Sequence, residues 1–368
     1  MRHNKILLFI KTPPPSTGVT LMNKIVYDSK RLKNSFCIRS ICISYMKNLD
    51  DMGKVKINKI IIMLNVLIKL FSELYFHKPD IVYFQLSHHG ISFFRDFFFV
   101  LIMKTHKIKI LFHLHGIGIK QKSNLKKIFY KICFNNEEII CLSRLLSNDI
   151  EDVYNGNPFF VPNGIPKINI KPESKENNKP LDIIFLSNLF ISKGILDFLE
   201  AMKILNLKHI NFNATIVGAE GNQNNSSCIS VNTIKKLLKE NNLEYKVHFL
   251  GPKYGNDKYR ILQNADIFCY PTHNDAFPLV ILEAMQFGLP VISTKEGAIS
   301  EIINDGETGF IVDKNSPEQI VKKLQILIKN PELKKKMGEA GRKKFIENYT
   351  IEKFENNLIN ILDNVLYD

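Results

Sequence analysis

The chain has 368 residues, 45% of them hydrophobic, and a formal net charge of +14. This length is too great for a single hydrophobic core and predicts two domains, and the hydrophobic content is ample for both. Residues 1–170 hold 25 Lys and Arg against 11 Asp and Glu, whereas the two signs balance in the remainder. The whole positive excess therefore lies in the N-terminal half. It predicts an anionic partner there, such as phospholipid headgroups, lipid phosphates or nucleic acid.

No stretch of 18 uncharged apolar residues occurs, because Lys69 and Arg95 each interrupt one of the two longest apolar runs. The first apolar run, residues 6–10, is too short for a signal peptide. The six cysteines show no metal-like spacing, and most lie in apolar runs, which predicts reduced core residues. These features favour a cytoplasmic protein that does not span a membrane.

The N-terminal half alternates apolar strands with helical patterns. Strands are predicted at 5–10, 79–85, 107–116 and 138–143, and helices from Val19, over 57–76 and over 92–103. The loop after the first strand has one glycine, Gly18, and lacks the G-x-G-x-x-G dinucleotide fingerprint. The helix over 92–103 is rich in phenylalanine. It is predicted either to pack between the sheet and its neighbours or to expose an apolar face to a bilayer surface.

Residues 166–180 have no apolar periodicity and are predicted to be a linker. The alternation then restarts, with strands at 181–188, 211–218, 247–251, 267–270 and 290–294. It predicts a second doubly wound sheet, followed by helices over 316–368. Lys193 lies just after the first of these strands, where an ammonium can reach a pyrophosphate. A solvated surface lysine is the alternative.

Two acids, Asp275 and Glu283, stand on either side of a predicted helix start at Pro278. The two acids can share a ligand only if Asp275 lies on the loop and Glu283 lies about one and a half turns into the helix. The helix N-terminus attracts anions, and the acids would accept hydrogen bonds from hydroxyls. A nucleotide sugar offers ribose hydroxyls, pyrophosphate and sugar hydroxyls together. The alternative is one solvated loop acid and one helix-surface acid.

Several segments together resemble the family-4 retaining glycosyltransferases of the GT-B fold (glycosyl transferases group 1), of the bacterial surface-polysaccharide type. The segments are Asp275-AFPLVIL-Glu283 with GLPVIST and DGETGFIV behind it, S-K-G at Lys193, His115-Gly116, and V-P-N-G at 161–164. The resemblance implies an α/β protein with two Rossmann-like doubly wound domains facing across a cleft. Residues 1–165, with a returning helix at about 349–368, would bind the acceptor, and residues 181–348 the nucleotide sugar.

The resemblance also implies roles for particular residues. Glu283 would bind the ribose, whereas Asp275 and His115 would orient the donor sugar. Lys193 would stabilise the leaving phosphate, so that Lys193, Asp275 and His115 form the predicted catalytic set. The remaining predicted donor-binding residues are Gly18, Asn188, Gly218, Gly251, Phe277, Leu279 and Val280. The family often has arginine at the position of Asn188 and glutamate at that of Asp275.

The predicted function is therefore metal-independent, cofactor-free retaining transfer of a hexose from a UDP- or GDP-sugar. The acceptor would be a glycan or a polyprenyl-linked glycan of surface polysaccharide or lipopolysaccharide synthesis. The protein would be peripheral at the inner face of the cytoplasmic membrane, held by anionic lipid, with no nucleic acid partner. Two alternatives stay open: a sugar-nucleotide epimerase or hydrolase of the same fold, and a non-catalytic nucleotide-sugar or nucleic-acid binding protein.

Overall fold

The computed structural model describes residues 4–14, 16–43, 57–169, 180–220 and 228–367, without the side chains of 57–60. The chain divides into two compact units, Met1–Gly164 with Ile351–Asp368, and Ile165–Thr350. Each unit holds one six-stranded parallel sheet with helices, and the predicted α/β class with two doubly wound sheets is confirmed. Most of the predicted linker, residues 170–179, lies outside the described residues.

The first sheet has the strand order β2-β1-β3-β4-β5-β6, and all of its pairings are parallel. Its inner strands are short apolar runs, typical of strands that are buried on both faces. The strands are β1 (Lys5–Ile10), β2 (Cys37–Cys42), β3 (Ile81–Phe84), β4 (Lys109–Leu114), β5 (Glu138–Cys141) and β6 (Phe159–Phe160). The helices are α1 (Gly18–Asp28), α2 (Lys30–Ser35), α3 (Ile57–Ser72, continued by a π-helical turn over Glu73–His77), α4 (Gly90–Thr105), α5 (Asn124–Phe134), α6 (Arg144–Ser147) and, from the end of the chain, α14 (Ile351–Tyr367).

Helices cover both faces of the first sheet. One face is packed by α3, α4 and α5, whose buried side chains join Phe84 and Phe112 in a single apolar core. The opposite face carries His113, which follows Phe112 along β4 and stacks on Phe354 of α14 with ring centroids 6.4 Å apart. The last helix of the chain is thus part of the first unit's core.

The second sheet is also parallel throughout, with the strand order β12-β11-β10-β7-β8-β9. The order reverses beside β7, so the loops after β7 and β10 leave the same edge of the sheet as neighbours. The strands are β7 (Leu181–Leu186), β8 (Phe212–Val217), β9 (Val247–Phe249), β10 (Ile267–Tyr270), β11 (Val291–Thr294) and β12 (Gly309–Val312). The helices are α7 (Ile195–Leu207), α8 (Val231–Glu240), α9 (Gly255–Asn264), α10 (Leu279–Gln286), α11 (Ile299–Ile302), α12 (Pro317–Lys329) and α13 (Pro331–Asn348).

Two sequence-based expectations need correction. Pro278 was expected inside the first turn of α10, but its ψ of 112° is extended, and it is the N-cap residue instead. Three cysteines are buried, but Cys37 and Cys42 are exposed and Cys228 is half-buried. Both exposed cysteines lie on β2, an edge strand with one neighbour, which explains why an apolar run did not mean a core position.

Among the described residues, no helix combines the length and the apolar character that crossing a bilayer requires.

Candidate active site

The predicted donor residues of the second unit gather at the carboxyl edge of its sheet. Asn188 and Lys193 follow β7, Gly218 follows β8, Gly251 follows β9 and Asp275 follows β10. Because all of these strands are parallel, the loops after them leave the sheet on one side, where open α/β sheets bind ligands.

Lys193 ends a short 3₁₀ turn, Ile191–Lys193, rather than lying on an extended loop. Gly194 follows in the left-handed region, with φ at 82°. A side chain there would collide with the carbonyl oxygen of Pro271, so only glycine lets the loop after β7 press against the loop after β10. This close approach carries Lys193 to the second loop.

Lys193 and Asp275 form an ion pair. The Nζ atom of Lys193 lies 2.7 Å from Oδ2 of Asp275 and donates a second bond to the carbonyl of Asn274 at 2.9 Å. Both side chains keep about a fifth of their surface exposed, 24% for Lys193 and 19% for Asp275. The structure therefore brings together the predicted phosphate cation and the predicted sugar acid, and leaves both accessible.

Tyr270 was not predicted, yet its hydroxyl donates to Oδ2 of Asp275 at 2.8 Å. Burial and the neighbouring Asp275 raise the pKa of this phenol well above its usual range, so it stays a proton donor. The available signal was its place as the last residue of β10, five positions before the acid, at the edge where ligands bind.

Gly297 was also missed. It has φ at 50°, and a side chain on it would collide with the carbonyl oxygens of Asp275 and Ala276. The next residue, Ala298, donates its N–H to the carbonyl of Ala276 at 2.8 Å. The loop after β11 thus supports the backbone that carries Asp275.

The N-terminus of α10 has free donor capacity. Pro278 at the N-cap makes no side-chain capping bond, because proline has no acceptor side chain. The first N–H groups of a helix have no partner within it, and here they belong to the half-exposed Leu279 and Val280. Phe277 is buried beside them, with its ring 6.2 Å from that of Tyr349. The geometry fits an anion at this terminus.

The two carboxylate oxygens of Glu283 differ in their hydrogen bonding. Its Oε1 accepts from Nζ of Lys258 on α9 at 2.6 Å. Its Oε2 is buried and has no hydrogen-bond partner among the residues that the structure describes. A buried carboxylate oxygen without a partner is costly, which makes it a strong sign of a missing hydroxyl or N–H donor. Lys258 lies 25 residues away in sequence and was not predicted.

The loops that follow β7, β8 and β9 contact one another near Asn188, Gly218 and Gly251. Gly218 donates its N–H to the carbonyl of Gly251 at 3.1 Å, and Asn188 accepts from the N–H of Ala219 at 3.3 Å. A side chain on Gly218 would collide with the carbonyl oxygen of Ser187. These contacts explain why glycine stands at 218, and a donor-binding role for the three residues stays a prediction.

His115 and Gly18 lie in the first unit. The ring of His115 is 4.1 Å from that of His113, and the Tyr83 hydroxyl lies 2.5 Å from Nδ1 of His113. Burial, with His88 nearby, lowers the pKa of His115 to about 3, so the imidazole is neutral. Its buried Nε2 has no partner within the described residues. Gly18 is the exposed first residue of α1. The predicted roles of His115 and Gly18 in binding the sugar donor stay predictions.

No group of three His, Cys, Asp or Glu side chains suited to a metal ion occurs in the described ranges of the chain.

Comparison with known proteins identifies the class. Residues 166–344 match the model of the family described as glycosyl transferases group 1. A glycosyltransferase of Rickettsia africae has the same fold, with a TM-score of 0.78 at 22% identity, covering 100% of this chain and 99% of that one. HepE of Anabaena, solved with UDP and glucose, gives 0.72 at 14% identity over 98% of this chain and 100% of its own. The fold is that of a GT-B glycosyltransferase.

Proteins of similar sequence are also glycosyltransferases. An uncharacterized glycosyltransferase of Methanocaldococcus jannaschii is 27% identical over 73% of this chain and 72% of its own. The capsular polysaccharide biosynthesis glycosyltransferase CapM of Staphylococcus aureus is 30% identical over 45% of this chain and 40% of its own length. Residues 166–344 of this chain thus match the group 1 glycosyltransferases, the family that its sequence motifs predicted.

Proposed function

We propose that this glycosyltransferase transfers a hexose, with retention at the anomeric carbon, from a UDP- or GDP-sugar. The observation that carries the nucleotide-sugar donor is the buried Oε2 of Glu283, which has no partner within the described residues. A ribose hydroxyl is a donor that would satisfy it. The relative solved with UDP and glucose supports a donor of this class.

In the proposed reaction, the bond between the anomeric carbon and the phosphate oxygen breaks, and its electron pair stays on the phosphate. Charge therefore develops on the β-phosphate in the transition state. Preorganised positive groups at that point lower the barrier most. Lys193 and the N–H groups at the start of α10 are the groups that the second unit offers.

Retention follows if the acceptor hydroxyl attacks on the side that the phosphate leaves. Its oxygen forms the new bond to the anomeric carbon, and its proton passes to the departing phosphate oxygen. Asp275 orients the donor sugar in this scheme. Tyr270 and Lys193 hold the Asp275 carboxylate, so the sugar meets an acid that is already fixed. We also assign Gly18 to the donor phosphate and His115 to the donor sugar, as the family resemblance implies.

We propose that the reaction needs neither a metal ion nor another cofactor, because Lys193 and the helix terminus can neutralise the leaving group. Incubation with UDP-, GDP- and ADP-sugars, with and without EDTA, tests donor and metal together. We expect slow donor hydrolysis without acceptor and no effect of EDTA. Donor turnover that EDTA abolishes contradicts metal independence, and rearrangement of the intact donor indicates an epimerase instead.

We propose a lipid-linked glycan of surface polysaccharide or lipopolysaccharide synthesis as the acceptor, at the cytoplasmic face of the membrane. The similarity to CapM supports a surface polysaccharide. The positive charge confined to residues 1–170 supports an anionic lipid surface as the partner. Transfer of radiolabelled sugar to a butanol-extractable polyprenyl-linked acceptor tests this assignment. Transfer only to water-soluble acceptors would contradict it.

A further inference from the structure

Helices α3, α4 and α5 form one layer on one face of the first sheet. Their inward side chains join a single core, with Leu70 from α3, Phe99 from α4 and Phe134 from α5 all fully or almost fully buried. The sheet contributes alternate residues of its strands to that core, among them Phe84 and Phe112. The three helices therefore share one inner side, and their outer sides point away from the sheet.

The outer sides are apolar, which is unusual for helices that face water. On each helix the exposed large hydrophobic residues recur at spacings of three and four, so each set forms a stripe. Their exposed fractions run from 37% at Leu101 to 76% at Leu125. The stripes consist of Ile61, Leu64, Ile68, Phe71 and Tyr75 on α3 and its π-helical turn; Ile91, Phe94, Phe98 and Leu101 on α4; and Leu125, Ile128 and Ile132 on α5.

Contacts between the helices join the stripes into one surface, which we call the α3–α5 face. The ring of Phe94 on α4 lies 5.6 Å from that of Phe129 on α5, and Phe97 lies 5.2 Å from the same ring. Phe71 of α3 lies 6.0 Å from His106, which directly follows α4. Twelve exposed apolar side chains thus lie together on three adjacent helices. On an ordinary protein surface such residues are scattered singly.

The charges on these helices have one sign at the surface. Two acidic residues lie in α4, α5 and α3 with its π-helical turn: Glu73, which is 14% exposed and paired with Arg39, and Asp96, which is fully buried. There it accepts from Lys11 at 3.1 Å and from Arg95 at 2.5 Å. The exposed charges are positive, and include Lys69 on α3 and Lys126 and Lys131 on α5.

We propose that the α3–α5 face docks on a bilayer that contains anionic lipid. The apolar stripes would enter the boundary between headgroups and acyl chains. The lysines would extend their ammonium groups to lipid phosphates while their stems cover apolar surface. A second copy of the chain fits less well, because two such faces would set positive charge against positive charge. This inference deepens the proposed function, since it names the surface that brings the enzyme to a lipid-linked acceptor.

Vesicle flotation of the full-length protein tests the docking surface. The vesicles contain phosphatidylcholine alone or mixed with phosphatidylglycerol, at low and high salt. The apolar variant is Ile68→Ser, Phe94→Ser, Phe98→Ser, Ile128→Ser. Its matched control replaces exposed apolar residues of the second unit: Leu207→Ser, Tyr245→Ser, Tyr254→Ser. A charge variant, Lys126→Glu with Lys131→Glu, is compared with Lys235→Glu with Lys239→Glu on α8, where all four lysines are exposed.

We expect wild type and both controls to float with anionic vesicles, and less so at high salt. Binding should fall by roughly tenfold or more in the apolar variant, since each lost side chain removes buried apolar area. The charge variant should lose a similar factor on anionic vesicles only. Wild type that fails to float, or an apolar variant that floats as well as wild type, overturns the proposal. So does a wild-type dimer that the apolar variant abolishes.

Donor hydrolysis measured without vesicles separates this inference from the proposed function. We expect the apolar and charge variants to hydrolyse the donor at the wild-type rate, which also shows that they are folded. Loss of flotation with retained hydrolysis supports the docking surface. Hydrolysis absent from the wild type itself would contradict the proposed function whatever the flotation shows.

Discussion

The ammonium of Lys193 lies 2.7 Å from the carboxylate of Asp275, although the two residues are 82 positions apart in sequence. In the proposed reaction they have different partners, the leaving phosphate and the donor sugar. A pyrophosphate that binds Lys193 must therefore compete with Asp275 or share the ammonium with it. The short aspartate side chain is held here by two donors, Lys193 and Tyr270.

Replacement Lys193→Ala should reduce turnover more than donor binding. The value of the ammonium grows as charge develops on the leaving group, and losing one such electrostatic donor costs about 10²–10³ in kcat. Steady-state kinetics with a saturating acceptor measure the effect. Lys203→Ala, which removes an exposed lysine paired with Glu200 on α7, is the matched control. Wild-type kcat in the Lys193 variant would place the leaving group elsewhere.

Tyr270→Phe should impair sugar transfer without impairing the binding of the bare nucleotide. The variant keeps the buried ring and removes the hydroxyl that fixes Asp275. A hydrogen bond to a charged group contributes about 1.5–3 kcal/mol, so we expect a loss of roughly ten- to a hundredfold in kcat/KM. Tyr245→Phe, at an exposed position, is the control. Equal loss of affinity for bare UDP or GDP would show that Tyr270 serves the nucleotide instead.

Lys258→Met should weaken nucleotide binding. Its ammonium is 2.6 Å from Oε1 of Glu283, and without it the Glu283 carboxylate would lose the donor that orients it. A hydrogen bond to a charged group contributes about 1.5–3 kcal/mol, so a roughly tenfold weaker nucleotide is expected by calorimetry. Lys235→Met on α8 is the control. Tighter binding in the Lys258 variant would mean that this lysine competes with the ribose.

His115 should make the first unit less stable as the pH falls. Burial lowers its pKa in the folded protein to about 3, whereas an unfolded histidine titrates near 6.5. The unfolded chain therefore binds the proton first, and stability that is complete above about pH 6.5 is lost progressively below it. Between about pH 7 and pH 5 this one group should cost about 2 kcal/mol of unfolding free energy.

Urea unfolding of wild type and His115→Gln at both pH values measures this difference. The wild type should lose about 2 kcal/mol more than the variant over that interval. His248→Gln, at an exposed position of β9, should behave like wild type. Parallel pH profiles of wild type and His115→Gln would show that His115 is not buried neutral.

The strands and helices of this molecule could be predicted well from the sequence, because buried parallel strands consist of short apolar runs. Ile267–Tyr270 was predicted as a strand and has those bounds, and the helix at Glu283 was found within one residue at each end. Exposure was harder to predict. Phe93 and Phe94 are neighbours on α4, yet one is buried and the other almost half exposed, which depends on the neighbouring α5.

The partners within the site could not be predicted, because they come from separate loops. The ion pair of Lys193 with Asp275 exists because β7 and β10 are adjacent in the sheet. The sequences of these two strands and their loops do not indicate that order. Gly297 and Lys258 belong to further elements of the same unit that only the fold brings together. Residues that belong to a sequence motif could be predicted from the sequence, whereas the side chains that contact them could not.

The proposed division of labour between the two acids is tested most directly by calorimetric titration of bare UDP and GDP. The proteins are wild type, Glu283→Gln, Asp275→Glu and the exposed control Glu339→Gln on α13. Glu283→Gln should weaken the nucleotide by roughly tenfold or more, since the ribose hydroxyls lose a charged acceptor. Asp275→Glu should bind it as wild type does, and yet transfer the sugar poorly. Equal weakening by Asp275→Glu and Glu283→Gln would contradict the assignment of one acid to the sugar and the other to the ribose.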